Sequence, residues 1–78
     1  AGAGTGPLQA LVEDERAAAV RRALRRLKRA QAEILVLRHS GLSYGEVAAV
    51  LRMKASSVGT TLARAEAAFE RSYREEES

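Results

Sequence analysis

The spacing of apolar residues decides most of what this chain can become. Leu8, Leu11, Val12, Ala19, Val20, Ala23, Leu24 and Leu27 recur at steps of three and four. At 3.6 residues per turn such spacing lays a single stripe along an amphipathic helix, whereas a strand would need strict alternation. Glu13, Asp14 and Glu15 come early in that segment and Arg21, Arg22, Arg25 and Arg26 late, the order a helix dipole favours. Proline occurs once, at Pro7, and the helix formers Ala, Leu, Glu and Arg dominate, which favours helix in every long window. The fold expected is therefore all-α: a compact bundle of about four helices with no sheet.

The boundaries follow from local signals. A second helix is expected around Ala30 to Arg38, carrying Ile34, Leu35 and Leu37. No Gly or Pro separates Leu27 from Ala30, so it is read as nearly continuous with the first. His39-Ser40-Gly41 supplies a stop, with Gly41 suited to the left-handed position after a helix. Ser43-Tyr44-Gly45-Glu46 is a Ser-x-x-Glu capping box that opens a third helix, whose Val47, Ala48, Val50 and Leu51 can face inward. Arg52 to Ala55 reads as a short turn. Ser56 or Ser57 is then positioned to cap a fourth helix with the inner stripe Val58, Leu62, Ala65 and Phe69. Residues 1–7 are Gly/Ala-rich and read as the remnant of a flexible linker, residues 8–73 as the helical domain, and residues 74–78 as an acidic tail expected to fray.

Bulk properties narrow the function. A chain of 78 residues is one domain at most, and without cysteine it has neither disulfides nor thiolate metal sites, in keeping with a cytoplasmic protein. No apolar run approaches the ~18 residues that span a bilayer, and the first residues lack the pattern of a signal peptide. The chain does not begin with Met, so it is expected to be a piece of a larger protein. Its net charge of +3 is unevenly spread: residues 1–15 sum to −3, 16–38 to +7, 39–65 to +2 and 66–78 to −3. Six of the nine residues from Arg21 to Arg29 are basic, which suits a polyanionic partner or, more plainly, a solvated helix face. The lone His39 has no second ligand nearby, and phosphate-cradling loops and zinc spacings are missing, so no cofactor, metal, small-molecule substrate or catalytic role is expected.

A short helix, a four-residue turn and a long helix make a helix-turn-helix at about residues 43–71. Ala48 is small where the two helices should cross, and Leu51, Met53 and Val58 would fill the wedge between them. In such a motif the first helix braces the second, whose N-terminal side chains reach base edges in the major groove. Arg64 is a candidate for a guanine edge or a phosphate, and Ser56, Ser57, Thr60 and Thr61 for hydrogen bonds to phosphates or bases. Lys54 in the turn is a candidate phosphate contact; Arg38 and Tyr44 flank the start of the bracing helix and are candidates for the DNA backbone. Each has a plainer reading: a solvated arginine, helix caps, or, for Tyr44, packing. The Glu75–Glu77 run reads as solvated, or more sharply as a competitor with DNA for the basic face.

The stretch Leu27 to Phe69, and above all ILVLRHSGLSYGEVAAVL with Val58 and Leu62-Ala63-Arg64-Ala65, resembles region 4 of the extracytoplasmic-function sigma factors, a branch of the sigma-70 family. With the helix ahead of it, the resemblance covers most of the chain. It implies a bacterial transcription-initiation domain that recognises the promoter −35 element in double-stranded DNA and docks on the β-subunit flap of RNA polymerase core. It further implies an N-terminal −10-melting domain joined by a linker, and an anti-sigma factor as a further partner. This chain departs from the family at several positions. Arg52 stands where a Gly usually opens the turn, Lys54 where Pro is frequent, and Gly59-Thr60-Thr61 where Lys-Ser-Arg is usual. Ala63 replaces a frequent His, and Lys28, Arg29 and Ala32 stand where the preceding helix usually has Pro and Arg. Gly59 inside the fourth helix should weaken it by about 0.8–1 kcal/mol relative to Ala. These departures keep two alternatives open: a sigma-like protein-interaction module bound chiefly by an anti-sigma factor or other regulator, and a helix-turn-helix regulator of another family.

Overall fold

The computed structural model describes residues 7–77, which form four helices in the order α1 Pro7–Arg25, α2 Arg29–His39, α3 Tyr44–Leu51 and α4 Ala55–Glu77, with no strand among the described residues. The linker expected at residues 1–7 lies outside the described residues except for Pro7. That residue opens α1, a position where a missing N–H costs nothing.

The near-continuity expected between the first two helices is overturned. α1 stops at Arg25, and its chain tightens as the Arg26 and Leu27 amides donate to the carbonyls of Ala23 and Leu24 at 3.3 and 3.1 Å. Lys28 then turns extended (φ −58°, ψ 144°) before α2 starts, with no side chain capping that helix. The next corner is locally encoded. Gly41 takes φ +98°, its amide donates to Arg38 O at 3.1 Å, and the Leu42 amide donates to Leu37 O at 3.4 Å. This paired closure is the Schellman arrangement, and a residue without Cβ fits its left-handed position. Two residues on, the capping box is complete: Glu46 N–H donates to Ser43 Oγ at 3.1 Å and Ser43 N–H to Glu46 Oε1 at 2.8 Å.

The core is built from α2, α3 and α4, where Ile34, Val47, Ala48, Val58, Leu62 and Ala65 are buried, with Leu35, Leu37, Leu42, Leu51 and Met53 packed around them. Val50 was expected to face inward but is 56% exposed: α3 has only two turns, and Val47 and Ala48 already occupy its inner side. The first turns of α1 differ in the same way, since Leu8 (79% exposed) and Leu11 (53%) are largely open to solvent.

α1 attaches to the far end of α4. Ala23 is buried, and the Ser72 hydroxyl, itself buried, donates to Ala23 O at 2.9 Å. Around this contact Arg22 Nε meets Glu76 Oε1 at 2.6 Å, while Arg26 donates to Ser72 O at 3.3 Å, meets Glu75 at 3.2 Å and also pairs with Glu76. The frayed acidic tail expected at residues 74–78 is therefore corrected over its described part: α4 continues to Glu77, and the Glu76 side chain is only 6% exposed. The arginines of α1 tether that last turn.

Candidate nucleic-acid interface

α4 owes its exposed flank to the one-sided distribution of its bulk. Val58, Leu62 and Ala65 are buried on one side, and Phe69 is half-buried one turn further on. At 100° per residue, the positions opposite them are 56, 60, 63, 64 and 67, and Ser56, Thr60, Ala63, Arg64 and Ala67 are all exposed. Ser57 is exposed beside them, and Lys54 is exposed just ahead of the helix. The first three turns of α4 thus form a rod braced from behind by α3, with its outer side open to solvent.

Two details of the helix start differ from expectation. α4 begins at Ala55, so Ser56 and Ser57 lie inside its first turn and neither is the cap; Lys54 precedes the helix, its carbonyl accepting from the Ser57 amide at 2.9 Å. Their hydroxyls are thereby left on the surface. Gly59 and Thr61 are half-buried on the flanks of the helix rather than on its outer side.

Arg38 and Tyr44 come together away from the rod's outer side. The Arg38 guanidinium lies over the Tyr44 ring, 5.4 Å from its centroid, and donates to Leu42 O at 2.9 Å. A Cβ built on Gly59 would lie 3.6 Å from Cε2 of the same ring. The pair therefore ties the turn before α3 to the flank of α4, while Tyr44 keeps 45% of its surface exposed.

Arg52 was not among the candidates read from the sequence. It closes α3 in the left-handed region, φ 56° and ψ 48°, its amide bonded to Ala48 O, and the Met53 amide donates to the same carbonyl at 3.0 Å. Here the backbone adopts the shape a glycine suits best, and the missing Gly of the family pattern was the signal that could have drawn attention to it. Part of the basic run is engaged within the fold. Arg22 and Arg26 face Glu75 and Glu76 at the opposite end of α4 from Ser57, roughly 30 Å away at 1.5 Å per residue. Their guanidinium groups, that of Arg22 first, hold the Glu76 carboxyl below its ordinary 4.5. Bonding to the Ser43 backbone, and secondarily to its side chain, does the same for Glu46.

A second surface lies on the inner side of α4. An apolar groove of about 450 Å³ is lined by Val20, Leu24, Leu35, Val36, His39, Ser40 and Phe69. A neighbouring one of about 320 Å³ shares Leu24 and Val36 and continues past Ala32, Glu33 and Leu37 to Val50. The run Ile34 to Leu37 was the sequence signal for it, because four consecutive apolar residues cannot all face one core from a helix. Among the described residues no cluster of acidic, His or Cys side chains could hold a metal ion, and no helix is long and apolar enough to cross a membrane.

Comparison with known proteins gives one match and two blanks. A family model described as Sigma-70, region 4 matches residues 17–69, which is 53 of the 78 residues and takes in all of α2 and α3 and the first part of α4. No curated protein and no solved structure matches the chain.

Proposed function

The chain belongs to the sigma-70 region 4 family, a family of DNA-binding transcription domains and not of enzymes, and on that premise we propose that it is the −35-reading domain of an alternative sigma factor of the extracytoplasmic-function type. The observation that carries this reading is the open outer side of α4, where Ser56, Ser57, Thr60 and Arg64 are exposed while α3 braces the helix from behind. A helix held in that way can enter the major groove, roughly 12 Å wide, with its first turns leading. Arg64 contacts a base edge, Lys54 and the two serines contact phosphate, and Tyr44 touches backbone at the edge of the footprint. Gly59 and Thr61 set how closely the flanks approach rather than reading bases themselves. Arg38 acts through Tyr44.

Docking on polymerase belongs to the apolar groove. Leu24, Val36, Val50 and Phe69 offer an uncovered apolar strip that suits an apolar segment of the β-subunit flap, and Phe69 reaches it from the inner side of α4. A partner seated there leaves the outer side of α4 free for DNA, so polymerase and promoter are held together. The domain works in the bacterial cytoplasm, and an anti-sigma factor that covers either surface would silence it.

Binding of the intact protein, assembled with polymerase core, to a promoter library over a range of salt concentrations tests this function. A groove reader selects −35 sequences and loses affinity steeply as salt rises, because cations on the protein release counterions from the duplex. The second reading, an interaction module held chiefly by a protein regulator, draws support from the same apolar groove and from the absence of long donors at Gly59-Thr60-Thr61. Weak binding indifferent to sequence, together with tight capture of a protein partner through Val36 and Val50, would favour it.

A further inference from the structure

The chemistry of the outer side of α4 restricts which bases it can recognise, and we infer that it reads a guanine with thymines beside it: Arg64 takes the guanine, and the methyl groups of Thr60 and Ala63 pack on thymine methyls. This inference rests on the reading of α4 as the groove helix. Ser56, Thr60, Ala63, Arg64 and Ala67 are exposed on that side over the first turns of α4, and among them only Arg64 extends beyond a hydroxyl or a methyl group; Arg71, the next long side chain on that side, lies two turns further along the helix. Short side chains let the helix lie close to the base edges, so the contacts are made at van der Waals range by methyls rather than by long flexible donors.

What the helix lacks narrows the choice further. Adenine is read in the major groove by paired hydrogen bonds from Asn or Gln, and α4 has neither. Cytosine offers an N4 donor that a carboxylate accepts, yet α4 carries no acid before Glu66, which is exposed but lies about 120° round the helix from Thr60. Guanine presents the N7 and O6 acceptors that an arginine fork fits, and thymine alone presents a C5 methyl, the partner for Thr and Ala methyl groups. One fork and two methyls therefore specify G and T. Ser56 and Ser57, at the helix start, remain for the phosphates on either side.

The test uses the intact protein assembled with polymerase core and a duplex selected from a randomised −35 library. Each guanine of the selected site is replaced in turn by 7-deazaguanine, which lacks N7, and each thymine by deoxyuridine, which lacks only the methyl. The expected result is one guanine whose replacement weakens binding at least about fivefold, with that penalty absent in Arg64→Ala. Adjacent deoxyuridines should weaken binding about fourfold each, the worth of one buried methyl group. Thr60→Ser removes a methyl while keeping the hydroxyl, so in that variant one deoxyuridine position should lose its penalty. Helical circular dichroism of each variant checks that α4 is intact. Sequence-selective binding that ignores both analogues would overturn the G-and-T readout while leaving the groove helix standing. Failure to select any sequence would instead remove the −35 function from under it.

Discussion

Arg52 sits in a backbone region that L side chains avoid, at φ 56°, because the chain must reverse between α3 and α4 within three residues. Holding a residue with a Cβ in that region costs about 1–2 kcal/mol, offset in the unfolded chain by glycine's larger entropy loss of about 0.4–1 kcal/mol. Arg52→Gly should accordingly stabilise the fold by about 0.5–1 kcal/mol, seen as a higher urea midpoint with unchanged slope; a lower midpoint would mean that the arginine side chain holds the turn. Gly59 presents the converse case. It lies inside α4, and a Cβ there meets the Tyr44 ring at an ordinary 3.6 Å. Gly59→Ala should therefore recover about 0.8–1 kcal/mol of helix propensity and raise the melting temperature by about 4–8 °C. Both positions are departures visible in the sequence. Only the fold tells them apart, one as backbone strain and the other as missing helix propensity with room to restore it.

The junction of α1 with α4 is held by groups from both helices, and its energetics are electrostatic as well as apolar. The Glu76 carboxyl is held below its ordinary 4.5 by Arg22 and then Arg26, and Glu46 is lowered by Ser43. A carboxyl with a lowered folded value binds fewer protons in the native chain than in the unfolded one, so stability rises with pH through that range. The contribution of both groups is thus complete above about 4.5, the ordinary value, and is lost as pH falls through their lowered folded values. Denaturation midpoints measured from pH 7 down to pH 3 should fall in the acid limb, and Glu76→Gln should flatten that limb while lowering stability at neutral pH. An unchanged acid limb in Glu76→Gln would show that the junction owes nothing to this carboxylate. The first two elements carry the main misreading from sequence. No Gly, Pro or capping side chain marks the corner at Arg26–Lys28; the break lies just after Ala23, which meets Ser72 near the far end of α4.

Charge at the scale of the whole molecule is sorted along α4. Two cations of the run that looks densest in the sequence, Arg22 and Arg26, are engaged by Glu75 and Glu76 at the end of α4 remote from its exposed first turns. Arg22→Ala should therefore leave promoter affinity and its salt dependence unchanged in the polymerase-bound protein, while lowering the melting temperature. Lys54→Ala should do the opposite: affinity falls by a similar factor on all sequences, the logarithmic salt slope drops by about 1, and stability is nearly unaffected because the side chain is exposed. Finding that Arg22→Ala alters the salt slope would place the basic run of α1 in the DNA footprint and require the molecule to be reoriented on the duplex.

Helical periodicity, the capping box at Ser43 and Glu46, the Gly41 stop and the small Ala48 at the helix crossing are local or nearly local instructions, and the sequence by itself determined them. They suffice for four helices and a helix-turn-helix, because capping and turn closure involve groups only a few residues apart. Tertiary structure alone decided where α1 breaks from α2, that the acidic end of α4 is anchored on Arg22 and Arg26, and that Val36 of α2 and Val50 of α3 line the same groove. Each of those outcomes depends on residues brought together across the chain: Ala23 and Ser72 are 49 positions apart, and no periodicity along one helix encodes which face of another it will meet.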